Sequence, residues 1–406
     1  MSRLEELIQH YCPDGVEYKK LEDCLNYEQP TKYIVKDTNY DDTYPTPVLT
    51  AGQSFILGYT NEKTGIYQAS KETPVIIFDD FTTGFHWVDF NFKVKSSAMK
   101  MLRPTCDDIS FRYVYYAMSC IHFEPGTHTR HWISIYSQFE IPVPPLPVQE
   151  EIVRILDTFT ELQAELQAEL QKRLQQYNYY RDKLLSFSDL SNGGGQEVSV
   201  EWKKFEDVFD TITDYTAAGS FKSLADNVKY LKSPDYAMLI RTTDLKSKFS
   251  KGDFIYISKT AYDYLWRVKL DKESIVLPNV GNCGEVYYIK PDELPYENCA
   301  LAPNAILVRS NIVNNRYLYY YLQVGAFQKQ LSKITSPVGQ SKFNKTELKK
   351  LIIPIPPLTE QQRIVDILDR FYTLTTDITA GLPAEIEARR KQYEYYRDRL
   401  LTFQMK

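Results

Sequence analysis

One stretch of this chain is written twice, half a chain apart, and that repeat limits the folds open to it. Residues 141–159 read IPVPPLPVQEEIVRILDTF and residues 353–371 read IPIPPLTEQQRIVDILDRF, a displacement of 353 − 141 = 212. Further on, QYNYYRDKLLSF at 176–187 returns as QYEYYRDRLLTF at 392–403, a displacement of 392 − 176 = 216. The second copy therefore carries four extra residues between its matched ends. Four residues make about 1.1 helical turns, so the insertion nearly preserves the inward face. Ile152, Ile155, Phe159, Leu162 and Leu166 step by three and four, the spacing of a heptad seam. Steps of four through Leu170 and Leu174, then three to Tyr177, predict a local stutter. Each stretch predicts a helix of about 40 residues, roughly 60 Å long. The prolines of 142–147 are extended, with Pro147 suited to a first helical turn. Glu150 and Glu151 follow where a helix dipole favours negative charge. In the second copy Thr359 and Gln362 have capping-box spacing, and Gly381-Leu382-Pro383 predicts a kink or brief break.

A second, shorter repeat opens each half: VEYKKLED at 16–23 and VEWKKFED at 200–207. The order is thus variable block, helix, variable block, helix, with the glycines of 188–196 as linker between halves. In the first block 74–78 (PVIIF) predicts a buried strand, 88–94 (VDFNFKV) a half-exposed strand and 111–119 (FRYVYYAMS) a helix. In the second block 236–240, 254–257, 274–277, 286–289 and 305–308 predict strands, and 315–323 (NRYLYYYLQ) a helix that echoes FRYVYYAM. The scaffold is repeated while the blocks differ in most residues.

A length of 406 residues fits two domains plus connecting elements. No apolar run is long enough to span a membrane. MSRLEELIQHY predicts a short amphipathic helix with Leu4, Leu7, Ile8 and Tyr11 on one side, not a signal peptide. Six cysteines without CxxC pairs and without clustering with the histidines point to reduced thiols rather than zinc or disulfides. A net charge of −5 argues against a wholly basic nucleic-acid binder but leaves room for local basic faces.

The sequence shows no constellation for catalysis. GxxxxGK[ST], GxSxG, HExxH and GxGxxG after a strand are absent, as are the Asn/Asp-Pro-Pro-aromatic tetrad and glycine-rich loop of an amino-methyltransferase. Asp79-Asp80 after a strand reads as a turn or cap, and His86 as a packed residue. The binding signals are polar loops with permissive glycines. GTHTRH at 126–131, with His128, Arg130 and His131, lies just upstream of the first repeat. GQSKFN at 339–344, with Gln340, Lys342 and Asn344, holds the corresponding place in the second half. Such side chains reach phosphates or base edges. Further candidates are Gln53, Ser97, Lys100, Arg241, Thr243, Lys246, Asn279 and Asn282, each weighed against a solvated turn. On the repeated helices Tyr177, Tyr180 and Leu184 share one face. Tyr179 points elsewhere, as does Tyr395, and with Arg181 and Arg397 they suggest a partner surface.

These features resemble the specificity subunit of type I restriction–modification systems. The doubled PPL-to-helix motif, the two QYxYYRD segments, LEELIQHYCPDGVEYKKLED and GYTNEKTGIYQASKETPVIIFDDFT carry the likeness. It implies an α+β tandem repeat with pseudo-two-fold symmetry. Two α/β target recognition domains, at 1–140 and 191–352, would be separated by two long antiparallel helices forming a coiled-coil spacer, at 141–190 and 353–406. It also implies a non-catalytic subunit in a bacterial or archaeal cytoplasm that reads a bipartite double-stranded DNA target. Two modification subunits would dock on it, bind S-adenosylmethionine and methylate adenine, and restriction subunits would add translocation and cleavage. No cofactor is expected in this chain. The alternatives are a coiled-coil scaffold that does not touch DNA, and the detached recognition part of a fused methyltransferase. The run ELQA-ELQA-EL at 161–170 adds an expectation: quartet number sets the gap between half-sites.

Overall fold

The computed structural model describes residues 2–50, 54–126, 129–187, 199–336, 339–376 and 380–405. The linker expected at 188–196 lies outside the described residues. The chain divides into two compact units, residues 1–168 with 385–406, and residues 169–384. Each unit thus takes one variable block and a piece of each helical region.

In the first unit a four-stranded antiparallel sheet runs in the order Leu25–Glu28, Met99–Pro104, Val75–Asp79, Phe85–Val88. In the second the order is Thr211–Asp214, Ala305–Arg309, Ser274–Pro278, Tyr287–Ile289, with the same directions. Each unit adds a three-stranded sheet with one antiparallel and one parallel neighbour. The central strands are Thr46–Leu49 and Ala237–Ile240. Two blocks with different residues therefore share one topology. The central strands are buried along most of their length in both units while the residues that fill them change.

Each copy of the short repeat pairs with the start of the long repeat in its own half. Glu17–Lys20 pairs antiparallel with Glu140–Val143, and Glu201–Lys204 pairs with Ile352–Ile355 in the equivalent register, Glu17 opposite Val143 and Glu201 opposite Ile355. Each ribbon delivers the chain into a helix. The first, Leu146–Leu184, is 39 residues long with Pro147 in its first turn. The second region is two helices, Leu358–Thr376 and Gly381–Leu400. The interruption falls just before the expected triplet. Gly381 is the joint, with φ +77°, and a Cβ there would lie 2.6 Å from the Thr373 carbonyl oxygen. Pro383 is then in the first turn of the following helix, where its missing N–H is no loss.

Two local expectations are corrected. Residues 88–94 are not one strand: Phe85–Val88 belongs to the four-stranded sheet and Lys93–Val94 to the three-stranded one. Between them Phe92 exchanges backbone hydrogen bonds with Tyr67, and the Asn91 side chain accepts the Ala69 N–H. The capping box at Thr359 and Gln362 does not set the helix start. Thr359 is already inside the helix, and the Pro357 carbonyl accepts the N–H groups of Glu360 and Gln361.

The helical segments pack within each unit by the same contact. Phe159 stacks on Tyr396 at 5.6 Å in the first unit, and its counterpart Phe371 stacks on Tyr180 at 5.7 Å in the second. Phe159 also meets Tyr393, while Leu401 joins Val148 and Ile152 in the same core, so the segments run antiparallel. The seam is buried at Ile152 and Tyr177 and half-buried at Leu162, Leu166, Leu170 and Leu174. Among the described residues no helix is long and apolar enough to cross a membrane.

Candidate nucleic-acid interface

What positions each variable block on its helix is a set of buried polar contacts made twice. Gln149 donates to the Pro144 carbonyl (2.6 Å) and accepts the Ser110 N–H (2.9 Å). Gln361 donates to the Pro356 carbonyl (2.8 Å) and accepts the Asn314 N–H (2.9 Å). The hydroxyl of Tyr113 donates to the Pro142 carbonyl at 2.9 Å, and that of Tyr317 to the Pro354 carbonyl at 2.8 Å. Arg112 lies over Trp87, Tyr115 and Tyr116 and donates to Asp157 at 2.8 Å. Arg316 lies over Tyr288, Tyr319, Tyr320 and Tyr372 and donates to Asp369 at 2.7 Å. Burial alone would push the Arg316 guanidinium down. The hydroxyls of Tyr320 and Tyr319 and the Asp369 carboxylate outweigh it, and the group is held above its ordinary value.

The pre-helix loops are mounted by a second repeated junction at the end of a central strand. In the first unit the Asp80 N–H donates to the Ala98 carbonyl and the Asp80 carbonyl accepts the His131 N–H, both at 2.8 Å. In the second the Asn279 N–H donates to the Asn304 carbonyl and the Asn279 carbonyl accepts the Phe343 N–H, both at 3.1 Å. The strand registers make Asp80 and Asn279 equivalent, each following the last residue of its strand. His131 and Phe343 are separated by 343 − 131 = 212, the displacement of the repeat itself. Both rings are buried, so each loop is plugged into its block at this position, with Trp132 buried beside His131 in the first unit. The residues just before the plugs, Arg130 and Lys342, are exposed.

The candidates from sequence divide accordingly. Gln340, Lys342, Asn344, Arg130, Ser97 and Thr243 are exposed. Asn344 also caps the short helix Lys345–Leu348 by accepting the Glu347 N–H. The segments 279–283 and 336–343 are tied together: the Gly281 N–H donates to the Ser341 carbonyl at 2.7 Å, and Val280 bridges Lys342. Burial pushes the Cys283 thiol up, so it stays protonated and donates to the same carbonyl at 3.3 Å. Half-buried Asn282 turns the chain toward Glu285, which pairs with Lys246 at 2.7 Å. The second unit thus gathers Asn279, Asn282, Lys246, Gln340 and Lys342 at one place.

Other candidates do not face outward as expected. Lys100 is 1% exposed with its ammonium 3.3 Å from Asp80, and His131 is the buried plug. In sequence a lysine or histidine in a polar stretch looks available; strand register turns Lys100 inward, and the backbone bond to Asp80 seats His131. Arg241 is engaged by Asp244 (2.7 Å) and the Asp253 carbonyl. Arg181 and Arg397 are largely covered, paired with Asp182 and Asp398 beside the rings of Tyr177 and Tyr393. Tyr179 and Tyr395 do point outward. Gln53 and His128 lie outside the described residues. Asp79 caps a turn as read, accepting the N–H groups of Phe81 and Thr82, and His86 packs half-buried on Phe55.

Sequence reasoning missed a groove in the second unit whose walls include Phe221, Lys229, Tyr230, Asn279 and Asn304. Phe221 is 84% exposed. The available signal was an aromatic immediately after the capping serine of a polar helix, Phe221–Asn227. Lys345 pairs at 2.9 Å with Asp214 on the groove wall, which removes that acid from the face.

A sequence-family comparison matches this chain twice, at residues 13–176 and 197–388, to the type I restriction modification DNA specificity domain. The chain belongs to that family. It is 42% identical, over 99% of its own length and 97% of the relative's, to the type I restriction enzyme EcoR124I/EcoR124II specificity subunit of Escherichia coli. A crystal structure of the type I restriction–modification S subunit from M. genitalium resembles it with a TM-score of 0.53 at 15% identity, covering 97% of this chain and 98% of that one. Each of the two matches takes in one copy of the short repeat and of the PPL-to-helix motif, and the α+β tandem with its helical spacer is the family's fold. Its members are specificity components of restriction–modification systems, which places DNA sequence recognition at the centre of this chain's role.

Proposed function

We propose that this specificity subunit reads a two-part DNA sequence, one part by each variable block, and presents the DNA to partner subunits that methylate adenine using S-adenosylmethionine. The repeated loop junction carries this reading. One mounting, Asp80 or Asn279 gripping the residue after an exposed Arg130 or Lys342, holds loops of different content. A scaffold for proteins alone has no use for two loops mounted alike and written differently. The helices, with Tyr179 and Tyr395 outward, are the surface for the modification subunits, and the chain itself performs no reaction.

Mapping methyladenine across the genome in cells with and without this chain tests the reading. A bipartite motif that vanishes with the chain supports it; an unchanged map removes it. In the assembled complex, Lys342→Ala is expected to lower the slope of log affinity against log salt by about one if the ammonium contacts a phosphate. Loss of discrimination at one base pair, with the slope unchanged, would instead assign Lys342 to a base edge.

The ELQA quartets bear on the gap between the two parts. One quartet adds about 6 Å of helical rise, against about 3.4 Å per base pair along one strand. Deleting residues 165–168 is therefore expected to shorten the gap by one or two base pairs. Methylation of both half-sites at the original gap would reduce the quartets to good helix composition.

A further inference from the structure

The two loop junctions share their backbone bonds but differ in charge. In the first unit the junction contains a buried ion pair: Asp80 and Lys100 are both 1% exposed, 3.3 Å apart, with the ammonium also 5.0 Å over the Tyr27 ring. The other Asp80 oxygen accepts the Trp132 N–H at 2.8 Å, and the Asp80 carbonyl takes the His131 N–H. One residue therefore grips two consecutive amides directly after Arg130. In the second unit register places Asn279 where Asp80 stands and Ile306 where Lys100 stands, because Phe78 faces Lys100 and Leu277 faces Ile306. Asn279 grips Phe343 at both its N–H and its carbonyl, with no charge involved.

We infer that Asp80 and Lys100 are positioning residues for the first half-site only, an ion pair that aims the Arg130 loop at DNA without touching it. This rests on the proposed reading of a two-part target. The same fold closes the same junction with an amide and an isoleucine, so a buried charge pair is not what the topology requires. Such a pair is a poor source of stability, because desolvation offsets much of the attraction. Its contribution here is orientation. Lys100 approaches one carboxylate oxygen while the other receives Trp132, which restricts the rotation of the carboxylate and so the path of residues 130–132. Losing either partner strands a charge against the loop, while losing both leaves a junction without charge, as in the second unit.

The test uses the full chain assembled with its modification subunits, and duplexes drawn from a randomised library by the wild-type complex. Affinity is compared between duplexes with both half-sites intact and duplexes with the first or the second half scrambled. For Lys100→Met and for Asp80→Asn, discrimination at the first half-site is expected to fall by about tenfold or more, about what one mismatched base pair costs. Discrimination at the second half-site stays within about twofold, since well-separated positions contribute roughly additively. The double variant D80N/K100M is expected to regain first-half discrimination, because asparagine still accepts the Trp132 N–H and no ammonium is stranded. Three results overturn the inference: single variants that keep first-half discrimination, loss at both halves together, or a double variant no better than K100M. If the single variants do not assemble, the double variant decides: first-half discrimination retained supports the inference, and its loss overturns it. A wild-type complex that discriminates neither half would count against the DNA reading itself, so the two failures are distinguishable.

Discussion

Replacing Gln361 by glutamate is expected to make the second unit sensitive to pH over a range where the wild-type contact is indifferent. Gln361 is 1% exposed and satisfies two backbone groups from different segments, the Pro356 carbonyl and the Asn314 N–H. A carboxylate of the same shape keeps the acceptor for Asn314 and loses the donor for Pro356. Ionised, it sets a buried negative charge against a carbonyl, and orphaning such a group costs about 1–3 kcal/mol or more. Protonated, the acid donates to Pro356 and the contact returns. Burial raises the folded-state pKa of the new acid above its unfolded value of about 4.3, so folding is favoured below that value. Stability is then lost as pH rises towards the folded pKa, by about 1.4 kcal/mol per pH unit. Hydrogen exchange of the amides in Asn315–Leu322, followed between pH 4 and 8 against the equivalent Phe111–Met118 helix and corrected for the intrinsic rate, checks it. Equal protection of both helices across that range would mean the carbonyl is satisfied in another way.

Arg316→Ala is expected to destabilise the same unit by about 3 kcal/mol at neutral pH. The Arg316 side chain is 83% covered, its guanidinium lies among the rings of Tyr288, Tyr319, Tyr320 and Tyr372, and it is the cation that pairs with Asp369, whose carboxylate also accepts the Tyr320 hydroxyl. Each cation–π contact contributes about 0.5–1 kcal/mol, more when desolvated, and removing one member of a largely buried pair costs more than an exposed pair is worth. Asp369 keeps access to water, which holds the figure below that of a fully buried pair. Arg316→Lys is expected to recover less than half of the loss, since a compact ammonium cannot stack flat among the rings. Hydrogen exchange in Leu358–Thr376, which carries Asp369, reads the result. Full rescue by lysine would mean that charge, not the planar stack, holds the helix. Arg112, with three rings, should behave similarly but less strongly in the first unit.

Several of these contacts could be located from sequence but not understood from it. Gln149 and Gln361 lie in the repeated stretch, yet a glutamine in a helical first turn looks solvated; that it donates back to a carbonyl five residues earlier needs the extended prolines in place. FRYVYYAM and NRYLYYYL were visible as echoes, but nothing in them singles out their arginines. Only the fold brings Asp157 or Asp369 from the repeat to meet them. The loops were legible by position because glycine and polar residues precede each repeat. Which side chain plugs and which projects was not, since His131 and Arg130 are both basic and adjacent. The misread strand at 88–94 has a related cause. Alternation records a side chain's two-sided surroundings, and two short strands in different sheets can supply that in succession.

The sequence by itself determined the tandem order, the long helices and the break near Gly381, because periodicity and backbone restriction are local and repeat whenever the residues repeat. Only the tertiary structure decided that two dissimilar blocks share one topology, and that Lys100 faces Asp80 while its counterpart is an isoleucine. Those are consequences of strand register, in which residues far apart along the chain are set side by side and no single segment encodes its neighbour.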